Sequence, residues 1–509
     1  MRRFRGILKY VATAVLLLCG VPILLARVYS AAGWDRGPGK PTVGKETTYL
    51  TEPVDEEGFV DYAAALNAEL GAGVKVEDNA AVDVLRAVGP SGVPAEIRDE
   101  YFEELGIELL PDEGDYFVDF AEFSGEEDAE AIDALREQHE IARRRPWSRE
   151  EFPEIARWLA ANERPLELAL AASRKPRFYS PLLTTIVDPL QTAPLPATEA
   201  ARHLSRALLT RALLRIKEGS FSAARDDLFA VRRIALLVDQ ESQFISALVA
   251  IALESSVVQA EFLLAADSRF DDQEFGEFRK AVMARPALRS MQSRLDRSER
   301  LALLDAVAHI ARFGPKAAET AESDDWRPEA IDWDIVGRAL NDWCDRVAQV
   351  AGDSDPQRRL AQLKALDDEA SSRGHAIKSP WNLVALLPFA RSLRSKLMAD
   401  VFLATLVPPT SAAAAAELRG LTNRSLTDVA FALAAAHRAD GKFPRQLADL
   451  VPTHLPRLPQ DGFGQSLVYA PSENGFRLYS LGQNGIDETA ATVLGDKTGD
   501  DLGLGYPLE

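Results

Sequence analysis

The residues able to do chemistry in this chain are scattered, and few stand in a recognisable pattern. Six histidines, at 139, 203, 309, 375, 437 and 454, have no spacing that would gather metal ligands. A Gly-x-Ser-x-Gly elbow, a His-Glu-x-x-His helix and a Gly-rich Lys-Ser/Thr phosphate loop are all absent from the sequence. Asp332 and Asp334 flank Trp333 as a carboxylate pair of the kind used in acid/base work. With 78 Asp and Glu in the chain, however, such pairs also arise by chance. Arg174, Lys175, Arg177, Phe178 and Tyr179 form a cluster that can bind an anion or a glycan. In so acidic a protein, pairing with nearby carboxylates is the simpler expectation. Cys19 and Cys344 cannot build a disulfide framework or a four-thiolate zinc site, and Cys344 reads as a buried free thiol.

The elements that must position these residues follow from composition and pattern. A chain of 509 residues, 47% hydrophobic and 27% charged, is long enough for several packing units and is not a disordered polymer. Its 58 Lys and Arg against 78 Asp and Glu leave a net charge of −20, which repels phosphate backbones and argues against nucleic acid as a partner.

Arg2, Arg3, Arg5 and Lys9 precede an uncharged apolar run from Tyr10 to Ala26, closed by Arg27. The preferred reading of residues 1–27 is an uncleaved signal-anchor in the cytoplasmic membrane. The basic flank would lie inside, and the body outside in the periplasmic or extracytoplasmic space. A cleaved signal peptide with Ser30, Ala31 and Ala32 near the cut, and a buried soluble helix, are the alternatives. No later segment reads as a second span; 381–407 comes closest but carries Arg391, Arg394, Lys396 and Asp400.

Residues 28–50 read as a tether, and 51–193 as an irregular, mostly helical acidic unit. Sixteen acids against one base between Glu96 and Asp133 suggest a solvated face or a surface for a cation or basic partner. Ser148 and Glu151 fit a capping box opening a helix over 147–172.

Residues 194–418 read as a helical-hairpin array of tetratricopeptide-like type. Ala201, Leu204, Leu208, Ala212 and Ile216 line one helix, and Gly219 and Ser220 break it. Ala224, Leu228, Val231, Ala235 and Val238 line a second, and an apolar third runs from Phe244 to Ala265. Further helices are expected over 287–313, 331–350 and 380–405, the last kinked at Pro388, before another begins at Ser411–Ala416.

Residues 419–509 change character. A helix with a Leu426, Val429, Ala430, Leu433, Ala436 stripe leads into Gly441-Lys442-Phe443-Pro444. Then come Leu447–Leu450, Leu458-Pro459-Gln460-Asp461-Gly462-Phe463-Gly464, a hairpin at 467–479, and Ser480–Gly485. This ordered series resembles the globular α+β domain of major pseudopilins of type II secretion. Here it is separated from the apolar N-terminal run, as a borrowed module would be. The resemblance implies a role near secretion or the envelope and a Ca²⁺ in the loop after the hairpin. Asp487, Asp496, Asp500 and Asp501 can supply carboxylates for it, with Gly485, Gly495 and Gly499 for tight turns. A solvated acidic tail is the alternative.

Over its whole length the chain is similar to families of membrane-anchored planctomycete proteins, through segments such as Gly58–Asn67, Asn79–Val82 and Arg145–Ser148. That likeness implies no activity. The expected fold class is therefore mainly α, with a small α+β C-terminal unit. The expected function is that of an anchored interaction or scaffold protein with protein partners, against an envelope-polymer hydrolase with its site in an inter-helix cleft.

Overall fold

Side-chain caps set where the first helices begin. The computed structural model describes residues 36–125, 129–184, 188–314, 327–376, 390–472, 475–488 and 500–506. The expected span at 1–27, the kink at Pro388 and the expected ligand Asp496 lie outside them. Helices α1 (Tyr62–Gly71), α2 (Ala80–Val88), α3 (Arg98–Glu104), α4 (Phe120–Ser124) and α5 (Ala129–Ala142) come first. Asp61, Asn79 and Asp119 accept amide N–H groups at the starts of α1, α2 and α4, satisfying donors that have no partner inside the helix. The capping box expected at Ser148 is instead a turn, whose Ser148 carbonyl takes the Glu151 and Phe152 amides. The helix there starts at Pro153, which has no N–H to leave orphaned, and it is broken at Asn162 into α6 (Pro153–Ala161) and α7 (Glu163–Ala172).

The hairpin expected after residue 194 is present. Helix α8 (Pro196–Glu218) ends at Gly219, whose φ of 76° suits glycine alone, and α9 (Phe221–Val238) returns along it. Arg211 and Arg215 of α8 both bind the Asp227 carboxylate of α9 at 2.7 Å, and Asp227 is fully buried. The expected third helix is two, α10 (Phe244–Ser256) and α11 (Val258–Ala266), and α10 keeps a half-exposed face, with Ile245 55% exposed. Helices α12 (Asp272–Met283), α13 (Met291–Asp296), α14 (Ser298–Phe313), α15 (Trp333–Ala351), α16 (Pro356–Ala376) and α17 (Arg391–Thr405) follow.

Helix α18 (Thr410–Asp440) merges the two helices expected on either side of 418/419 into one of 31 residues. Gly420, the one potential break, is tolerated where the helix passes close to Ile251 of α10. Strands β1 (Val468–Pro471), β2 (Phe476–Ser480) and β3 (Leu502–Tyr506) make an antiparallel sheet in the order β1-β2-β3. The hairpin was expected and β3 was not. It pairs Leu504 with Leu478, and a side chain at Gly503 would collide with the Leu478 carbonyl.

Two apolar cores result. The first joins α2, α3, α5–α12, the C-terminal half of α18 and the sheet. The second joins α1, α13–α17 and the N-terminal half of α18. The fold is thus mainly helical with a small three-stranded antiparallel sheet near the C-terminus.

Residues 36–50, expected as tether, are instead pinned to the second core. The Gly37 amide donates to the Glu329 carbonyl at 2.9 Å and the Thr42 amide to Asp334 at 2.7 Å. Asn341 holds the Glu46 carbonyl at 3.0 Å, and Thr47 and Thr48 are buried. Gly337 lacks the side chain that would strike Thr47.

Two helical stretches, Phe244–Ala266 and Arg391–Asp440, are long and apolar enough by length and composition to cross a membrane, contrary to the expectation of no later candidate. Each is interrupted, at Val257 and at 406–409 respectively, and each contributes residues to both cores. Glu254 and Glu261 of the first are bound by Arg232 of α9, at 3.3 and 2.5 Å.

Candidate functional site

The C-terminal loops are organised by Asp461. Its Oδ1 accepts the amides of Phe463 and Gln465 at 3.0 and 2.7 Å, and its Oδ2 accepts the Ser480 hydroxyl at 2.6 Å. The segment 458–464 is thereby fastened to the end of β2. The Ser480 Oγ in turn accepts the Gly482 amide at 3.0 Å, turning the chain toward the acidic tail.

Of the four predicted calcium ligands, Asp500 and Asp501 come together and are joined by Glu488. One carboxylate oxygen of each lies within 4.8 Å of the others. Asp500 Oδ2 accepts the Gln483 and Asn484 amides at 2.9 and 3.0 Å. Glu488 accepts the Asp500 amide at 2.6 Å and the Asn484 side-chain amide at 3.0 Å, while Asp501 accepts the Glu488 amide at 3.2 Å. Asp500 Oδ1 is shut off from solvent with no hydrogen-bond donor among the described residues. Three converging carboxylates with a buried unsatisfied oxygen suit a hard divalent cation. Asp487 stands apart from the triad, accepting the Tyr479 hydroxyl at 3.2 Å. Sequence reasoning missed Glu488, although it follows Asp487 directly. It also missed Asp461, whose Asp-Gly-Phe-Gly context marked a turn.

The other singled-out residues are structural. Lys175 pairs with Asp83 at 3.3 Å and Phe178 and Tyr179 are buried, while Arg174 and Arg177 stay exposed, Arg177 against the Leu70 carbonyl. Asp332 caps α15, and Asp334 holds the N-terminal segment. Cys344 is buried and free, and burial pushes its thiol up to about 12. The side-chain amides of Asn67 and Asn79 each make two hydrogen bonds to extended backbone, at Leu182 and Tyr179, as a neighbouring strand would. Trp147 is fully buried and donates to the Thr210 carbonyl at 3.1 Å.

Two clefts gather groups with altered protonation. One, of about 430 Å³, is lined by Asp55, Asp61, Asp188, Asp305, His309 and Arg312. Burial, with Asp61 adding to it and the Leu190 amide at 2.7 Å opposing it, pushes Asp305 up to about 6. The other lies between α4, α5, α6 and α8 and is lined by Phe117, Phe120, Trp158, His139 and Arg206 among others. There, burial and the nearby Arg143 push His139 down to about 4, so its imidazole is neutral at pH 7. Its Nε2 meets the Thr210 hydroxyl at 2.8 Å.

No protein-family model, characterised protein or solved structure matches this chain.

Proposed function

We propose that this is a membrane-anchored interaction or scaffold protein whose body works on the extracytoplasmic side, close to the bilayer, in a secretion- or envelope-related role. The observation that carries the reading is the fastening of residues 37–50 to the body. Nine residues, 28–36, lie between Arg27, at the end of the apolar run, and Gly37. Fully extended, they reach no farther than about 35 Å. A body on so short a leash meets partners that are themselves at the membrane. The helical hairpins are read as a tetratricopeptide-like array presenting that surface, and residues 419–509 as a pseudopilin-like module packed onto it. Calcium at Glu488, Asp500 and Asp501 would order the tail of the module by neutralising carboxylates that otherwise repel.

The test is protease added to spheroplasts, followed by affinity purification of the full chain from solubilised membranes. Degradation of the body and co-purification of membrane proteins are expected; protection of the body overturns the orientation.

A second reading, hydrolysis of an envelope polymer, is favoured by one observation. Asp305, raised to about 6, lines the same cleft as Asp61, which caps α1 and adds to that rise. A carboxyl raised toward neutrality by burial is what a general acid requires. Release of soluble fragments from envelope polymer by the wild type, and its loss in Asp305→Asn, would favour this reading over the first.

A further inference from the structure

The cleft between α4, α5, α6 and α8 combines two features that do not usually meet without a ligand. Its volume is about 320 Å³, at the lower end for small-molecule sites. One side is aromatic: the Phe120 ring lies 4.6 Å from Trp158 and 5.1 Å from His139, and Phe117 lies 5.8 Å from Trp158, centre to centre. Phe117 and Phe120 are only partly buried, so their rings remain open to a guest.

The other side carries two guanidinium groups, Arg136 and Arg206, with His203, whose pKa burial lowers so that its imidazole is neutral at pH 7. Arg136 is paired with Asp133 at 3.0 Å, and His203 lies 3.8 Å from Glu199. The two acids on the cleft are also engaged: Asp119 caps α4, and Glu140 is bound by Arg143. The Arg206 guanidinium makes no hydrogen bond or salt bridge among the described residues, although Glu140 and Glu199 lie near enough to act on its charge. Partial burial, with Arg202 and Arg143 close by and Glu140 and Glu199 opposing them, lowers its pKa, a direction that an anion placed there would offset.

We propose that this cleft binds a small organic anion with a flat apolar body, of the aromatic carboxylate class. Its carboxylate would sit on Arg206 and its ring against Phe117 and Phe120. Arginine is suited to this because its planar fork meets both carboxylate oxygens. Neutral His139 completes the ring-binding wall without competing for the charge.

The test is calorimetric titration of the full chain in detergent at pH 7 with 1-naphthoate, and with 1-naphthalenemethanol and inorganic phosphate as controls. Saturable binding of the naphthoate is expected, with both controls weaker by at least about tenfold. Arg206→Gln should weaken naphthoate binding by at least about tenfold with little change in melting temperature, because its guanidinium makes no hydrogen bond or salt bridge among the described residues. Arg164→Gln removes a charge paired with Glu167 away from the cleft and should leave binding unchanged. Absence of saturable binding overturns the proposal. So does equal binding of the alcohol, equal binding of phosphate, or unchanged binding by Arg206→Gln.

Discussion

At the scale of single residues, His139 makes stability depend on pH in a definite direction. Its pKa is about 4 in the folded protein against 6.5 as the ordinary value. Between those values the unfolded chain holds more protons, so stability is complete above about pH 6.5 and is lost as pH falls toward 4. The loss amounts to roughly 3 kcal/mol at most. His139→Gln keeps a hydrogen-bonding group near Thr210 but cannot titrate. Denaturant melts of both proteins at pH 7 and pH 4.5 should show a smaller pH difference in the variant; an equal difference would place the acid sensitivity elsewhere. The acidic tail gives a second residue-scale prediction. Millimolar calcium should raise the melting temperature of the C-terminal unit relative to chelator, and Asp500→Ala should remove that rise. Asp487→Ala should keep it, because the Asp487 carboxylate serves Tyr479 and lies outside the triad. Identical melting of the wild type in calcium and chelator would leave the tail as a surface loop.

At the scale of elements, the α8–α9 hairpin is held by an apolar seam and a buried charge cluster. Leu228 is fully buried one residue from Asp227. Leu228→Asp would place a second carboxylate in that interior, and Arg211 and Arg215 are already committed to the first. A loss of several kcal/mol is expected, at or beyond the ~4 kcal/mol that marks exceptional substitutions. Thermal melting followed by circular dichroism will measure it, and an unchanged midpoint would show that the seam does not support the fold. The hairpin was legible because Gly219 and the four-three spacing of Ala224, Leu228, Val231, Ala235 and Val238 are local signals. The break at Val257 was not legible. Glu254-Ser255-Ser256 stands just before it, but polar residues in a helical stretch equally mark an exposed face or a buried ion pair, as Glu254 makes with Arg232. Strand β3 was missed for a related reason. Gly503 and Gly505 read as loop residues, and the need for glycine arises only from the approach of Leu478 and Tyr479 on β2.

At the scale of the whole molecule, the two cores are coupled. Helix α18 sends Ala413, Ala414, Ala415 and Leu418 into one and Leu426 through Ala436 into the other. Arg294 of α13 reaches the end of α9, binding the Asp239 carboxylate at 2.7 Å and the Asp239 and Glu241 carbonyls at 2.5 Å. Glu241 itself accepts the Thr198 hydroxyl at 2.5 Å. The body should therefore unfold as a unit. Trp147 and Trp158 report on the first core, Trp333 and Trp343 on the second. With each pair replaced in turn by phenylalanine, the fluorescence transitions of the two proteins should track their own far-ultraviolet transitions. Separated transitions would mean that the cores melt independently. Ala430→Pro, which breaks α18 at a cost of about 3 kcal/mol or more, should lower both signals together.

Periodicity, caps and charge are properties of neighbouring residues, and they alone were enough to establish a mainly helical chain, its central hairpin, the Leu426–Ala436 stripe, the β1–β2 pairing and the buried thiol of Cys344. The rest depended on residues far apart in sequence. Residues 36–50 look like a linker because their composition is that of one. They are body because Asp334, Gly337 and Asn341, nearly 300 positions away, receive them. Asn67 and Asn79 gain their meaning only from the extended backbone at Tyr179 and Leu182 that they bind. Glu488 joins Asp500 and Asp501 only once β3 returns the tail to the sheet. Arg206 is one arginine among many until α4, α5 and α6 bring aromatic rings to its cleft. Local order follows from short-range chemistry carried by the chain itself. A site is a set of distances between distant parts of the chain, and those distances are set by how the cores close.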